Sequence, residues 1–157
     1  MNLARAIHFD DSDQNVYHVP ARTGEWCIPG GFEFSDWTDA DLAGKARQAF
    51  ANGWLGLETF GRVTFVAVTK IEPVEREGLI DALADHFVTM HGAPSREIAL
   101  PVATQEVDAM VDLCDGVDAN RVMSVARSLG EVGVTETFRI LDARDADLSQ
   151  VAVHGDD

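Results

Sequence analysis

The sequence predicts an α+β domain, a mostly antiparallel sheet of about six strands with three helices packed on it. Three observations carry this expectation. Short apolar segments bounded by Gly, Pro and Asp clusters stand near both ends of the chain. Helical periodicity marks residues 39–52, 73–90 and 104–115. The two kinds of element do not alternate regularly, which argues against a doubly wound parallel sheet.

Taken in order, "LARAIHF" (3–9) reads as a strand with Leu3, Ile7 and Phe9 on one side. "DDSDQN" is polar throughout and reads as a turn, after which "VYHV" (16–19) is expected to return antiparallel to the first strand. "PARTG" is a second turn and "EWCI" (25–28) a third strand. Thr38 followed by Asp41 forms the pattern of a capping box with Asp in place of Glu. Leu42, Ala46, Ala49 and Phe50 then share one helical face, and Gly53 suits a C-terminal cap. "GRVTFVAVTKI" (61–71) carries apolar residues on both faces and is expected to be a central strand. Pro73 fits the first turn of a helix over 73–90 whose buried stripe is Leu79, Ile80, Leu83, Phe87 and Met90. A helix over 104–115 buries Val107, Met110, Val111 and Cys114 and stops at Gly116. "RVMSVARSL" and "VGVTETFRIL" form a hairpin around "GEVG". Residues 1–141 read as a single globular domain, and 142–157 as an acidic tail expected to fray.

At 46% hydrophobic residues, the 157-residue chain has enough apolar surface for a real core. Its 27 acidic against 12 basic residues give a net charge of −15, which excludes non-specific nucleic-acid and anionic-membrane binding. The opening "MNLARAIHFDD" lacks a basic stretch followed by an apolar run, so no export signal is expected. No run approaches the ~18 apolar residues of a membrane span. Cys27 and Cys114 lie far apart and form no CxxC pair, so two reduced thiols in the cytoplasm are expected.

The stretch "EWCIPGGFEFSDW" (25–37) is the candidate site. As a pocket, it would offer Trp26, Gly30, Gly31 and Glu33, with Lys45, Arg47 and Arg62 as the cations that hold an anion against so acidic a chain. As a turn, Pro29-Gly30-Gly31 reverses the backbone, with Trp26 and Ile28 core before it and Phe32 and Phe34 core after it.

Three resemblances attach to these residues. "GGFEF" resembles the signature loop of the diguanylate cyclases, but Phe32 stands where that family places a metal-ligating acid. "EWCIPGGFEF" resembles the lead-in of the Nudix hydrolases, a resemblance that implies a following helix whose glutamates bind Mg²⁺. Here that segment is "LAGKARQAFANGWLG", with Lys45, Arg47 and Gln48 and no glutamate. Trp37 stands where the first motif glutamate would fall, and only Glu33 matches. The resemblance therefore implies a degenerate, Nudix-like binder of a small molecule or nucleotide. "KARQAFANGWLGLETFGRVTFVAV", with "GEW" upstream, resembles a block in a family of small uncharacterised bacterial proteins, which implies no activity.

Among the histidines, His8 and His18 are expected to face each other across the first hairpin, near Asp10, Asp11 and Cys27, as a candidate metal site. His86 and His91, five apart on one helix, are expected to diverge by about 140°. No nucleophile stands beside a general base, and no cofactor is expected. The leading reading is thus a cytoplasmic, non-catalytic accessory or interaction module with a protein partner. A homodimer through the 122–141 hairpin is one form of it. The alternatives are the binder at the Pro29–Gly31 bend and a metal protein using the N-terminal histidines.

Overall fold

Strand β1 (Asn2–Ile7) is the middle strand of seven, in the order β4-β3-β2-β1-β5-β6-β7. The others are β2 (Trp26–Ile28), β3 (Trp54–Gly56), β4 (Arg62–Val63), β5 (Phe65–Lys70), β6 (Val122–Gly130) and β7 (Gly133–Leu141). Every neighbouring pair is antiparallel. The helices are α1 (Ser12–Val16), α2 (Gly44–Asn52), α3 (Pro73–Met90) and α4 (Arg96–Cys114). The computed structural model describes residues 1–10 and 12–141, so the expected tail at 142–157 lies outside the described residues. The fold class is α+β, as the sequence implies, with seven strands rather than six.

The strand count differs at three places. Residues 16–19 are not a strand. Asp10 Oδ1 accepts the Ser12 N–H at 2.8 Å and starts a helical turn, which sets Asp13 and Tyr17 on one side. Thr64 then donates to Asp13 at 2.9 Å and bonds the Tyr17 hydroxyl at 2.8 Å, so burial of this pair outweighs the strand propensity of "VYHV". Trp54–Gly56, too short to show a period, forms the extra strand β3. Residues 61–71 divide at Thr64 into β4 and β5. β5 is interior, between β1 and β6, while β4 ends the sheet at its other edge. A single residue separates two strands four places apart, so the sheet curls back on itself.

One sheet face carries Cys27, Ala4, Ala6, Val66, Val68 and Met123, all fully buried. Helix α4 lies against β1 and β2 and contributes Ala99, Ala103, Val107, Met110 and Cys114 to the same core. Each fully buried Val, Leu or Met here is worth roughly 1.5–3 kcal/mol. The other face of β5, with Phe65, Ala67 and Thr69, is only half-buried, short of the two-sided burial expected.

Helix α3 matches its expected span, although Met90 is 69% exposed where the helix runs out. Helix α4 begins eight residues before the expected start. Ser95 caps it by accepting the Ile98 N–H, and Pro101 is tolerated inside it. The two helices form a pair pinned by Arg76–Asp108 at 2.7 Å and Arg96–Asp81 at 2.6 Å. The expected helix at 39–52 breaks into a 3-10 turn, Asp39–Asp41, and α2, which opens on Gly44 with φ +56°. The Thr38–Asp41 capping box is present on the 3-10 turn. Gly53 is extended rather than left-handed. It is required for a different reason, since a Cβ there would lie 2.7 Å from the Ala49 carbonyl oxygen.

Candidate functional site

The bend after β2 is held from inside by two buried arginines. Arg62, on β4, donates to the carbonyl oxygens of Pro29 (3.2 Å), Gly30 (3.0 Å) and Gly53 (3.1 Å). Arg127, on β6, donates to those of Phe50 (3.0 Å) and Gly53 (2.7 Å) and also to that of Pro29. Both guanidinium groups lie over the Phe34 ring, at 4.5 and 5.3 Å. The two glycines serve different ends. Gly30 has φ +67°, and its Cβ would fall 2.4 Å from Leu55 Cβ; a Cβ on Gly31 would fall 2.5 Å from a Glu136 carboxylate oxygen.

Past the bend, the 3-10 turn Gly31–Phe34 projects Glu33. Its Oε1 accepts from Arg62 at 2.5 Å. Its Oε2 lies 3.3 Å from His86 Nε2 and 3.0 Å from His91 Nε2, and the two imidazole nitrogens are 3.2 Å apart. Among the described residues, these three form a group whose ligand atoms could hold one metal ion. The expected divergence of His86 and His91 is wrong for a simple reason. α3 ends at Met90, and His91 is its cap, with φ −120° and ψ 11°. The helical angle no longer applies to it, and its ring swings back toward the helix. Gly92-Ala93-Pro94, a stop signal in the sequence, was the clue that His91 lies past the helix.

Aromatic rings fix the imidazoles. His86 stacks flat on Phe60, with centroids 3.8 Å apart. His91 takes the edge of Phe32 at 5.6 Å. Burial pushes the Glu33 carboxyl up, but Arg62 and the two imidazoles outweigh it and hold the group below its usual range. Burial lowers His86, with Glu33 only partly opposing, which keeps its imidazole neutral at neutral pH. Burial also lowers Arg62, to about 10, against the pull of Glu33; the group stays charged at neutral pH.

Of the expected site residues, Gly30, Gly31, Glu33 and Arg62 come together here. Trp26 instead sits under the Arg5 guanidinium, 4.1 Å from its ring centroid. Lys45 and Arg47 are exposed on α2, and neither forms an ion pair among the described residues. The first hairpin that was to join His8 and His18 does not form. His8 bonds Thr23 at 2.8 Å and approaches Asp13 at 3.3 Å, while His18 is exposed beyond α1. Sequence reasoning also missed Arg127, which reads as an ordinary charge on an alternating strand.

Residues 1–157 match the model of DUF6505, a family of unknown function, and the chain belongs to that family. No curated protein and no solved structure matches the chain. Among the described residues, no helix is long and apolar enough to cross a membrane.

Proposed function

We propose that this family member is an accessory protein that binds a divalent transition metal, held by Glu33, His86 and His91. The triangle of ligand atoms, with edges of 3.0, 3.2 and 3.3 Å, carries the reading. A tetrahedral Zn²⁺ at about 2.0–2.1 Å from each ligand sets those ligands roughly 3.3–3.4 Å apart. Two imidazoles and one carboxylate suit Zn²⁺ and its neighbours and disfavour Mg²⁺. Arg62 supports the site from behind. It fixes Oε1 and leaves Oε2 facing the two imidazoles, the outer contact that ligating carboxylates commonly have. All this favours the metal over an anion at the bend, because the Arg62 donors already serve carbonyl groups and Glu33.

The ion would tie the turn after the bend to the end of α3. A fourth coordination position would stay open for water or a partner's ligand. Two buried free cysteines suit the cytoplasmic setting that goes with this reading. Calorimetry on chelator-stripped protein tests it. The expected result is one Zn²⁺ per chain and a raised Tm, both lost in His91→Ala and in His86→Ala. Uptake that persists in both variants, or no uptake at all, overturns it.

A second reading concerns the partner. β7 is the outermost strand and is nine residues long, so one edge of its backbone is free to pair. A second copy, related by a two-fold axis, would satisfy that edge. Scattering at micromolar concentration checks this reading, with Ile140→Pro, whose N–H points away from β6, expected to turn a dimer into a single chain. A single-chain mass for the unaltered protein sinks it.

A further inference from the structure

We propose that the cleft between α4 and the β6–β7 hairpin binds a small organic cation with an apolar body. This site shares the turn at 31–34 with the metal group but uses none of its three ligands. The hairpin reaches well beyond β5, which pairs only with Val122, Met123 and Ser124 of β6. The outer part of β6 is anchored to α2 and the bend, through Arg127 and through Asn52, which donates to the Val125 carbonyl. The inner face of β7 looks across a gap of about 720 Å³, whose far wall is α4 and whose floor is the turn at 31–35. That volume is in the usual range for a small-molecule site.

The lining has two parts. Phe32, Leu113, Val134 and Phe138 are half-buried and give an apolar bed. Glu106 and Glu136 face it from opposite walls. Glu136 is bound on its inner side by Arg127, at 2.7 Å. Glu106 is half-buried and has no hydrogen bond or ion pair among the described residues. Burial, and then the charge of Glu136, raise its carboxyl above the ordinary value, the mark of a negative site short of positive charge. A cation between the two walls would supply that charge, and its apolar body would cover the bed. The net charge of −15 draws cations toward the cleft and repels anions from it.

The test uses three probes of one shape on the full chain in the presence of chelator: phenethylammonium, phenethyl alcohol and 3-phenylpropionate. Amide shifts on ¹⁵N-labelled protein report the site. The cation should saturate shifts at Gly31, Phe32, Glu106 and Val134, about tenfold more tightly than the neutral probe. The anion should bind more weakly still. Glu106→Gln should weaken the cation about fivefold and leave the alcohol unchanged, and Ala109→Trp should block both. Equal affinity for cation and alcohol overturns the proposal, as does the absence of saturable shifts. Saturation by a basic, leucine-containing peptide with none by phenethylammonium also overturns it, and reassigns the cleft to a protein partner.

Discussion

Arg62 and Arg127 donate to the same two carbonyl groups, those of Gly53 and Pro29, from strands on different parts of the sheet. Two like charges are thus buried side by side; burial lowers both guanidinium groups' hold on their protons, and the charge of Arg127 lowers that of Arg62 further. What offsets the cost is a full set of acceptors, with Glu33 and Glu136 as counter-charges.

Removing either guanidinium should therefore be expensive. Arg127→Met leaves the carbonyls of Phe50, Gly53 and Pro29 short of a donor and Glu136 without its partner. The expected loss is about 3–5 kcal/mol, read by urea denaturation at unchanged slope. Arg127→Lys should recover only a minor part, because an ammonium cannot reproduce the planar fork. A loss below about 1 kcal/mol for Arg127→Met would show that the clamp is dispensable.

The bend itself should discriminate between glycines. Gly30 and Gly24 both have positive φ, +67° and +87°. A Cβ at Gly24 meets nothing within 4 Å, whereas one at Gly30 strikes Leu55. Gly24→Ala should cost only the backbone term of about 1–2 kcal/mol. Gly30→Ala should add a steric cost and exceed it clearly in thermal and chemical melts. Equal losses would mean that Leu55 yields freely.

Glu25 offers a third check. It is buried, and its carboxylate accepts the N–H groups of Arg22 (2.7 Å), Glu58 (2.9 Å) and Thr59 (2.5 Å), besides the Thr59 hydroxyl. Glu25→Gln turns an amide against that set of donors. The expected cost is about 1–3 kcal/mol. Hydrogen exchange should speed up at Glu58 and Thr59 in particular, and an unchanged rate there would count against this role.

Stability should respond to pH through Glu106. Its carboxyl is raised in the folded chain, so the unfolded chain releases that proton at lower pH. The neutral acid's contribution is present below the ordinary carboxylate range and is lost as pH rises through the raised value. Glu106→Gln should therefore have a higher Tm than the unaltered protein at pH ~7. The difference should shrink toward zero below the ordinary glutamate value of about 4.3. A gain equal at both pH values would reflect packing rather than ionisation.

The sequence alone determined the fold class, the span of α3, the buried Val107, Met110 and Cys114 of α4 and the hairpin pairing of β6 with β7. Each rests on local signals: an apolar period, Pro73 at a helix start, Gly116 at a helix end, and two glycines around a two-residue turn. It also singled out Gly30, Gly31, Glu33 and Arg62 around one bend. Tertiary structure decided what those residues face. Burial of Asp13 and Tyr17 against Thr64 overrode the strand propensity of 16–19, and with it the pairing of His8 and His18. The bend at Thr64 curled the sheet and carried Arg62 under the Pro29 and Gly30 carbonyls. The end of α3 at Met90 freed His91 to meet His86 over Glu33, from 53 and 58 positions away along the chain. Contacts at such separations depend on where whole elements dock, and no periodicity within either segment encodes that.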